Sequence, residues 1–147
     1  MQASGENHVM SVRGLDHVVL RVRDIDLALK FYQDVIGLTV ERKLSADFGL
    51  IQLRAGHSLV DLVSVDSALG RAGGEAAGPS NHNMDHFCLD VEPFDEASIR
   101  AHLAAHGVEC GETSETRYGA RGYGPSIYIR DPDGNTIELK GPPAEEV

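Results

Sequence analysis

The chain has 147 residues, enough for one compact domain or two small halves sharing a core. Its formal charge of −10, with only 13 Lys and Arg, argues against nucleic acid or an anionic membrane as the main partner. Hydrophobic content of 41% and charged content of 24% are ordinary for a globular protein. The charge fits a small-molecule protein and leans toward a cationic ligand. No apolar run approaches the ~20 residues of a membrane helix. The first residues lack the basic and apolar regions of a signal peptide, so a cytoplasmic protein is expected. Cys88 and Cys110 form no CxxC pair and are expected as free thiols.

Residues 1–13 read as a polar tail. From Gly14 to Arg23 the chain is β-branched and alternating, as in a strand. Asp24 then caps a helix over Ile25 to Ile36, where Ile25, Leu29, Tyr32 and Ile36 recur at helical spacing and Gly37 supplies the stop. Leu38–Leu44, Phe48–Leu53 and Ser58–Val65 read as three strands. Residues 14–66 are thus a β-α-β-β-β module.

Residues 67–82 are rich in Gly and small side chains, without periodicity, and read as a linker or mobile loop. The pattern then restarts over residues 83–141. Asn83–Val91 reads as a strand, Pro93–His106 as a helix, and Val108–Cys110 as the start of a strand. Glu112–Pro125 reads as a long loop that lines a ligand site, and the last strands are Ser126–Arg130 and Thr136–Lys140. Between these last two, Asp131-Pro132-Asp133-Gly134-Asn135 is a tight turn. Residues 142–147 are an acidic tail.

The two halves are a repeat. Asp16-His17 matches Asp85-His86, and the same offset pairs Leu20 with Leu89, Val22 with Val91 and Ala28 with Ala97. The closing strands correspond too, Leu59–Leu62 with Thr136–Leu139. Strand periodicity turns Val18, Leu20 and Val22 toward the helix and His17, Val19 and Arg21 away from it. In the second half Phe87, Leu89 and Val91 face the core, while His86 shares its face with Cys88 and Asp90. Asp61 opposes Val60 and Leu62, as Glu138 opposes Ile137 and Leu139. The expectation is that His17, Asp61, His86 and Glu138 meet in one concavity. Two imidazoles with carboxylates suit one divalent metal of borderline hardness: Zn, Ni, Co, Mn or Fe(II).

On these residues, with Phe31-Tyr32, Gly37-Leu38 and the Tyr128–Glu138 hairpin, the chain resembles the vicinal oxygen chelate superfamily of glyoxalases, bleomycin-resistance proteins and extradiol dioxygenases. It is most similar to the small glyoxalase-domain proteins. The resemblance implies an α+β fold of two tandem βαβββ modules forming a U-shaped cleft around one metal, commonly in a homodimer. His17, His86 and Glu138 fall on metal-ligand positions. Asp61 stands where glyoxalases have Glu or Gln, one methylene short.

The activity so implied is a metal-dependent lyase or isomerase that acts on a small oxygen-chelating substrate, such as a thiol adduct of a 2-oxoaldehyde, through a metal-stabilised enediolate. Glu138 is the first candidate for the base and Asp61 the second. Arg21, Arg117 and Arg121 are candidates for a substrate carboxylate, and Tyr128 for a metal-bound oxygen. The rival readings are an extradiol-type dioxygenase, a thiol transferase of the fosfomycin-resistance type, and a non-catalytic drug-binding protein.

Overall fold

The structure is a computed structural model that describes residues 9–111 and 114–143. Parts of both tails, residues 1–8 and 144–147, lie outside the described residues, as do residues 112–113 of the expected loop.

The first module runs β1 (His17–Val22), α1 (Ile25–Lys30), β2 (Thr39–Lys43), β3 (Leu50–Ala55) and β4 (Ser58–Ser64). The second runs β5 (Phe87–Asp90), α2 (Glu96–Ala105), β6 (Glu115–Gly119), β7 (Gly122–Arg130) and β8 (Thr136–Lys140). Each forms a four-stranded sheet of the same topology, β1-β4-β3-β2 and β5-β8-β7-β6. In each, the first strand runs parallel to the last and the other pairings are antiparallel. The α+β duplication read from the repeat is therefore present.

Helix α1 starts where Asp24 accepts the backbone N–H of Leu27 at 3.1 Å. After Lys30 the expected helix continues as a π-helical turn, Phe31–Val35, which buries both Phe31 and Tyr32. Leu20, Val22, Leu53, Val60 and Leu62 of the first sheet join Leu103, Ile127, Ile129, Ile137 and Leu139 of the second half in a single apolar core. All but Leu103, which comes from α2, are strand positions that the period of two turns away from the histidines.

Two sequence expectations are corrected. Val108–Cys110 forms no strand. Glu112–Pro125 is not a long loop: β6 and β7 pair across it, with Gly119 opposite Gly122 at the turn. Gly, Pro and Arg along this stretch hid the alternation. The linker is ordered by the first sheet, because the guanidinium of Arg21 donates to the carbonyls of Gly70, Gly74 and Glu75, and that of Arg23 to Ala77.

The two halves are locked by the β7–β8 turn. Buried Asp131 accepts the Tyr32 hydroxyl at 2.7 Å, the N–H groups of Asp133 and Asn135, and the Asn135 amide. Asp133 accepts the backbone N–H of Arg23, and Asn135 accepts from Asn83. Gly134, at φ +83°, closes the turn in a conformation that costs other residues strain. Replacing Tyr32 by Phe is expected to lower stability by about 1–2 kcal/mol. Asp131→Ala, which strands four donors, should cost about 3 kcal/mol or more. Urea denaturation of both variants measures the difference.

Candidate functional site

The duplication places two equivalent constellations on the sheet faces that point away from the core. In the first sheet Asp61 is the register partner of Val19, so His17, two residues earlier on β1, shares its face and lies diagonal to it. In the second sheet Glu138 is the partner of Cys88, and His86, just before β5, lies diagonal to Glu138 in the same way. Both acids are buried, Asp61 to 2% and Glu138 to 6% exposure, while the histidine side chains keep 46% and 37% of theirs.

The histidines are held alike. Nδ1 of His17 lies 2.7 Å from Asp16 Oδ1, and Nδ1 of His86 lies 2.5 Å from Asp85 Oδ2. A carboxylate on Nδ1 orients the ring and leaves Nε2 as the outward nitrogen, the arrangement common behind metal-ligating histidines. In both cases that neighbour is the main reason the imidazole pKa is raised. Burial opposes the shift, and Asp61 and Glu138 respectively add to it. His86 Nε2 lies 3.2 Å from Glu138 Oε1.

The carboxylates are positioned from the neighbouring strand. Ser126 donates to Glu138 Oε2 at 2.5 Å. Gln52 donates to Asp61 Oδ2 at 3.0 Å, its own amide oxygen fixed by Arg42 at 2.7 Å. Asp61 Oδ1 is buried and has no hydrogen-bond partner among the described residues. A buried, unpaired carboxylate oxygen is costly, so its persistence points to a ligand or a proton as its missing partner.

This donor set fits a divalent cation: neutral imidazole Nε2, an oriented carboxylate and an orphaned carboxylate oxygen. The expectation of one concavity needs correction, however. Among the described residues no group of three or more His, Cys, Asp or Glu side chains sits close enough to hold a metal. One chain assembles two half-sets, His17 with Asp61 and His86 with Glu138, each on its own sheet.

The other candidates divide. Tyr128 is the register partner of Glu138, and its ring meets His86 edge-on at 5.9 Å between centroids. Its hydroxyl is raised, chiefly by burial. Arg121 lines a cavity of about 310 Å³ beside His86 and Glu138, paired with Asp90 at 2.5 Å and Glu92 at 3.0 Å. Arg21 is turned to the linker carbonyls instead. Cys88 shares the face of Glu138, but burial pushes its thiol up to about 11, which leaves it a poor nucleophile at neutral pH. Ser126 and Gln52 escaped the sequence reading, because their roles rest on cross-strand register.

The family model described as the Glyoxalase/Bleomycin resistance protein/Dioxygenase superfamily matches residues 14–139. This chain belongs to that superfamily. It is 33% identical over 134 residues to the glyoxalase domain-containing protein RDO1 of Mycosarcoma maydis, covering 88% of this chain and 69% of that protein. To virulence protein STM3117 of Salmonella typhimurium it is 27% identical over 138 residues, covering 91% and 88%. A solved structure of an integron cassette protein from V. Cholerae superposes with a TM-score of 0.71 at 30% identity, covering 91% of this chain and 98% of that one. The superfamily's description names enzymes, glyoxalases and dioxygenases, beside resistance proteins. Among the described residues no helix is long and apolar enough to cross a membrane.

The unpaired Asp61 oxygen generates a prediction of sign. Asp61→Asn should stabilise the metal-free chain by about 1 kcal/mol, because it removes a buried charge while keeping a group that can face Gln52. Denaturation in the presence of chelator tests this. A loss of stability instead would make Asp61 a structural residue.

Proposed function

We propose that this protein is a divalent-metal-dependent lyase or isomerase of the glyoxalase type, acting on a small oxygen-chelating substrate. The observation that carries the reading is the pair of carboxylate-backed histidines, each set diagonal to a buried acid on an otherwise unrelated stretch of chain. One such pair is common in proteins, whereas two in register across a duplication call for a shared purpose.

The metal-binding residues would be His17, His86 and Glu138, with Asp61 beside them. Because each sheet holds one half-set, we further propose a homodimer in which a two-fold axis sets the first module of one copy against the second module of the other. The axis generates two equivalent sites, each with His17 and Asp61 from one protomer and His86 and Glu138 from its partner. Bound there, Zn, Ni, Co, Mn or Fe would act as a Lewis acid on adjacent substrate oxygens and acidify the neighbouring C–H.

The chain's own groups would do the rest. Both oxygens of Glu138 are occupied, one by Ser126 and one facing His86, which suits a ligand held in one orientation. Asp61 keeps Oδ1 open while Gln52 fixes Oδ2. This supports Asp61 over Glu138 as the base that takes the carbon-bound proton on Oδ1 and returns it to the adjacent carbon. Its shorter side chain, set back from a metal position, then becomes an asset. Tyr128, beside Glu138, would hydrogen-bond a substrate oxygen. Cys88 and Cys110 as free thiols fit a reducing cytoplasm.

Complementation tests both parts of the proposal. His17→Ala and His86→Ala chains are each expected to bind metal at least about tenfold more weakly and to lose turnover of a hemithioacetal substrate. After the two variants are unfolded and refolded together, half the dimers combine one of each. Each such dimer carries one intact site, so about a quarter of wild-type activity and of tight metal sites should return. Mixing that restores nothing would place the whole site within a single chain. Full metal affinity in both variants would remove the histidines from it.

A further inference from the structure

Lys140 closes β8 two residues after Glu138 and so shares its face of the second sheet. A lysine at a strand end ordinarily runs out into water, yet this one is only 7% exposed. Its stem lies in a slot made by two glycines. A Cβ added at Gly119 would fall 2.5 Å from Lys140 Cε, and one at Gly124 would fall 3.1 Å from Nζ. The β6–β7 hairpin therefore leaves out side chains where the lysine passes.

Among the described residues the ammonium at the end of that slot is under-satisfied. Its one hydrogen bond among the described residues goes to the Arg117 carbonyl, at 2.5 Å, and an ammonium has three donors. Asp90, its register partner on β5, is the obvious counter-charge, but that carboxylate is taken by Arg121. No carboxylate among the described residues pairs with Nζ. A buried cation without a counter-ion is unfavourable unless something supplies the negative charge. Lys140 also lines the 310 Å³ cavity that holds His86 and Glu138.

We infer that Lys140 is the anchor of an anion subsite in this cavity, one that takes a carboxylate or phosphonate group of the substrate. The inference rests on the proposed function in one respect: it makes the oxygen-chelating substrate an acid, with its anionic end on Lys140 and its reacting end toward Glu138. The chain's overall charge of −10 does not oppose this, since a buried ammonium dominates the field in its own cavity. Arg121, already held by Asp90 and Glu92, contributes to the rim rather than to the charge balance.

The test uses the full chain with divalent metal removed by chelator, so that failure of the metal set and failure of the anion subsite are read separately. Methylphosphonate and glycolate are titrated into protein carrying lysine labelled with ¹³C at Cε. The lysines of the chain are Lys30, Lys43 and Lys140, and the first two serve as internal controls. A saturable shift of the Lys140 resonance alone is expected. In Lys140→Met, whose unbranched stem fills the same slot without charge, shifts of the Gly119 and Gly141 amides should need at least about tenfold more anion. A Lys140 signal that does not move in wild type, or moves only as Lys30 and Lys43 do, overturns the subsite. Equal anion affinity in Lys140→Met overturns it too. If that variant does not fold, the wild-type titration decides alone.

Discussion

The carboxylate of Asp131 accepts four hydrogen bonds inside the protein, three from its own turn and one from Tyr32 of the other module. A buried carboxylate with that many donors is held in one orientation, and it fixes whatever is attached to it. Here that is the β7–β8 hairpin on one side and the π-helical turn after α1 on the other. Asp133 and Asn135 extend the same knot to Arg23, just after β1, and to Asn83, which precedes β5. The two sheets are thus registered to each other through one turn. The position of Glu138 on β8 follows from it, since the strand leaves the turn at Thr136 with no slack.

With the frame set, the chemistry follows from duplication. Each module carries a histidine diagonal to a buried acid, each histidine is braced by the aspartate before it, and each acid is braced from the neighbouring antiparallel strand. The two copies have diverged where their roles would differ. Glu138 uses both oxygens within the protein, and Asp61 leaves one unused. The β7 partner of Glu138 is Tyr128, while the β3 partner of Asp61 is Gln52. In the proposed reaction the second half would hold the ion and the first would handle the proton.

Charge is distributed against the average. The protein is acidic overall, yet the second sheet gathers Lys140, Arg121 and Arg117 around one cavity and its neighbouring strands. Two of these are balanced locally by Asp90, Glu92 and Glu115. Among the described residues no carboxylate pairs with Lys140, whose ammonium donates to the Arg117 carbonyl. Net charge sets solubility and long-range steering, whereas the local arrangement sets what a cavity can hold.

Much of this was legible in the chain. The repeat, the strand faces and the histidine and acid positions depend on period-two alternation and on dipeptides that recur at one offset, both local properties. They determined the βαβββ duplication, the core residues and the four candidate groups. What tertiary structure alone decided depends on register and on distance. It showed that residues read as a loop are the β6–β7 hairpin, since cross-strand pairing leaves no mark in a Gly- and Arg-rich run. It turned Arg21 away to the linker, because a long side chain bonds whatever carbonyls come within reach. It placed Gln52 and Ser126 behind the acids. It divided the four candidate groups between two sheet faces, because periodicity specifies which face a residue takes and says nothing of how far apart two faces lie.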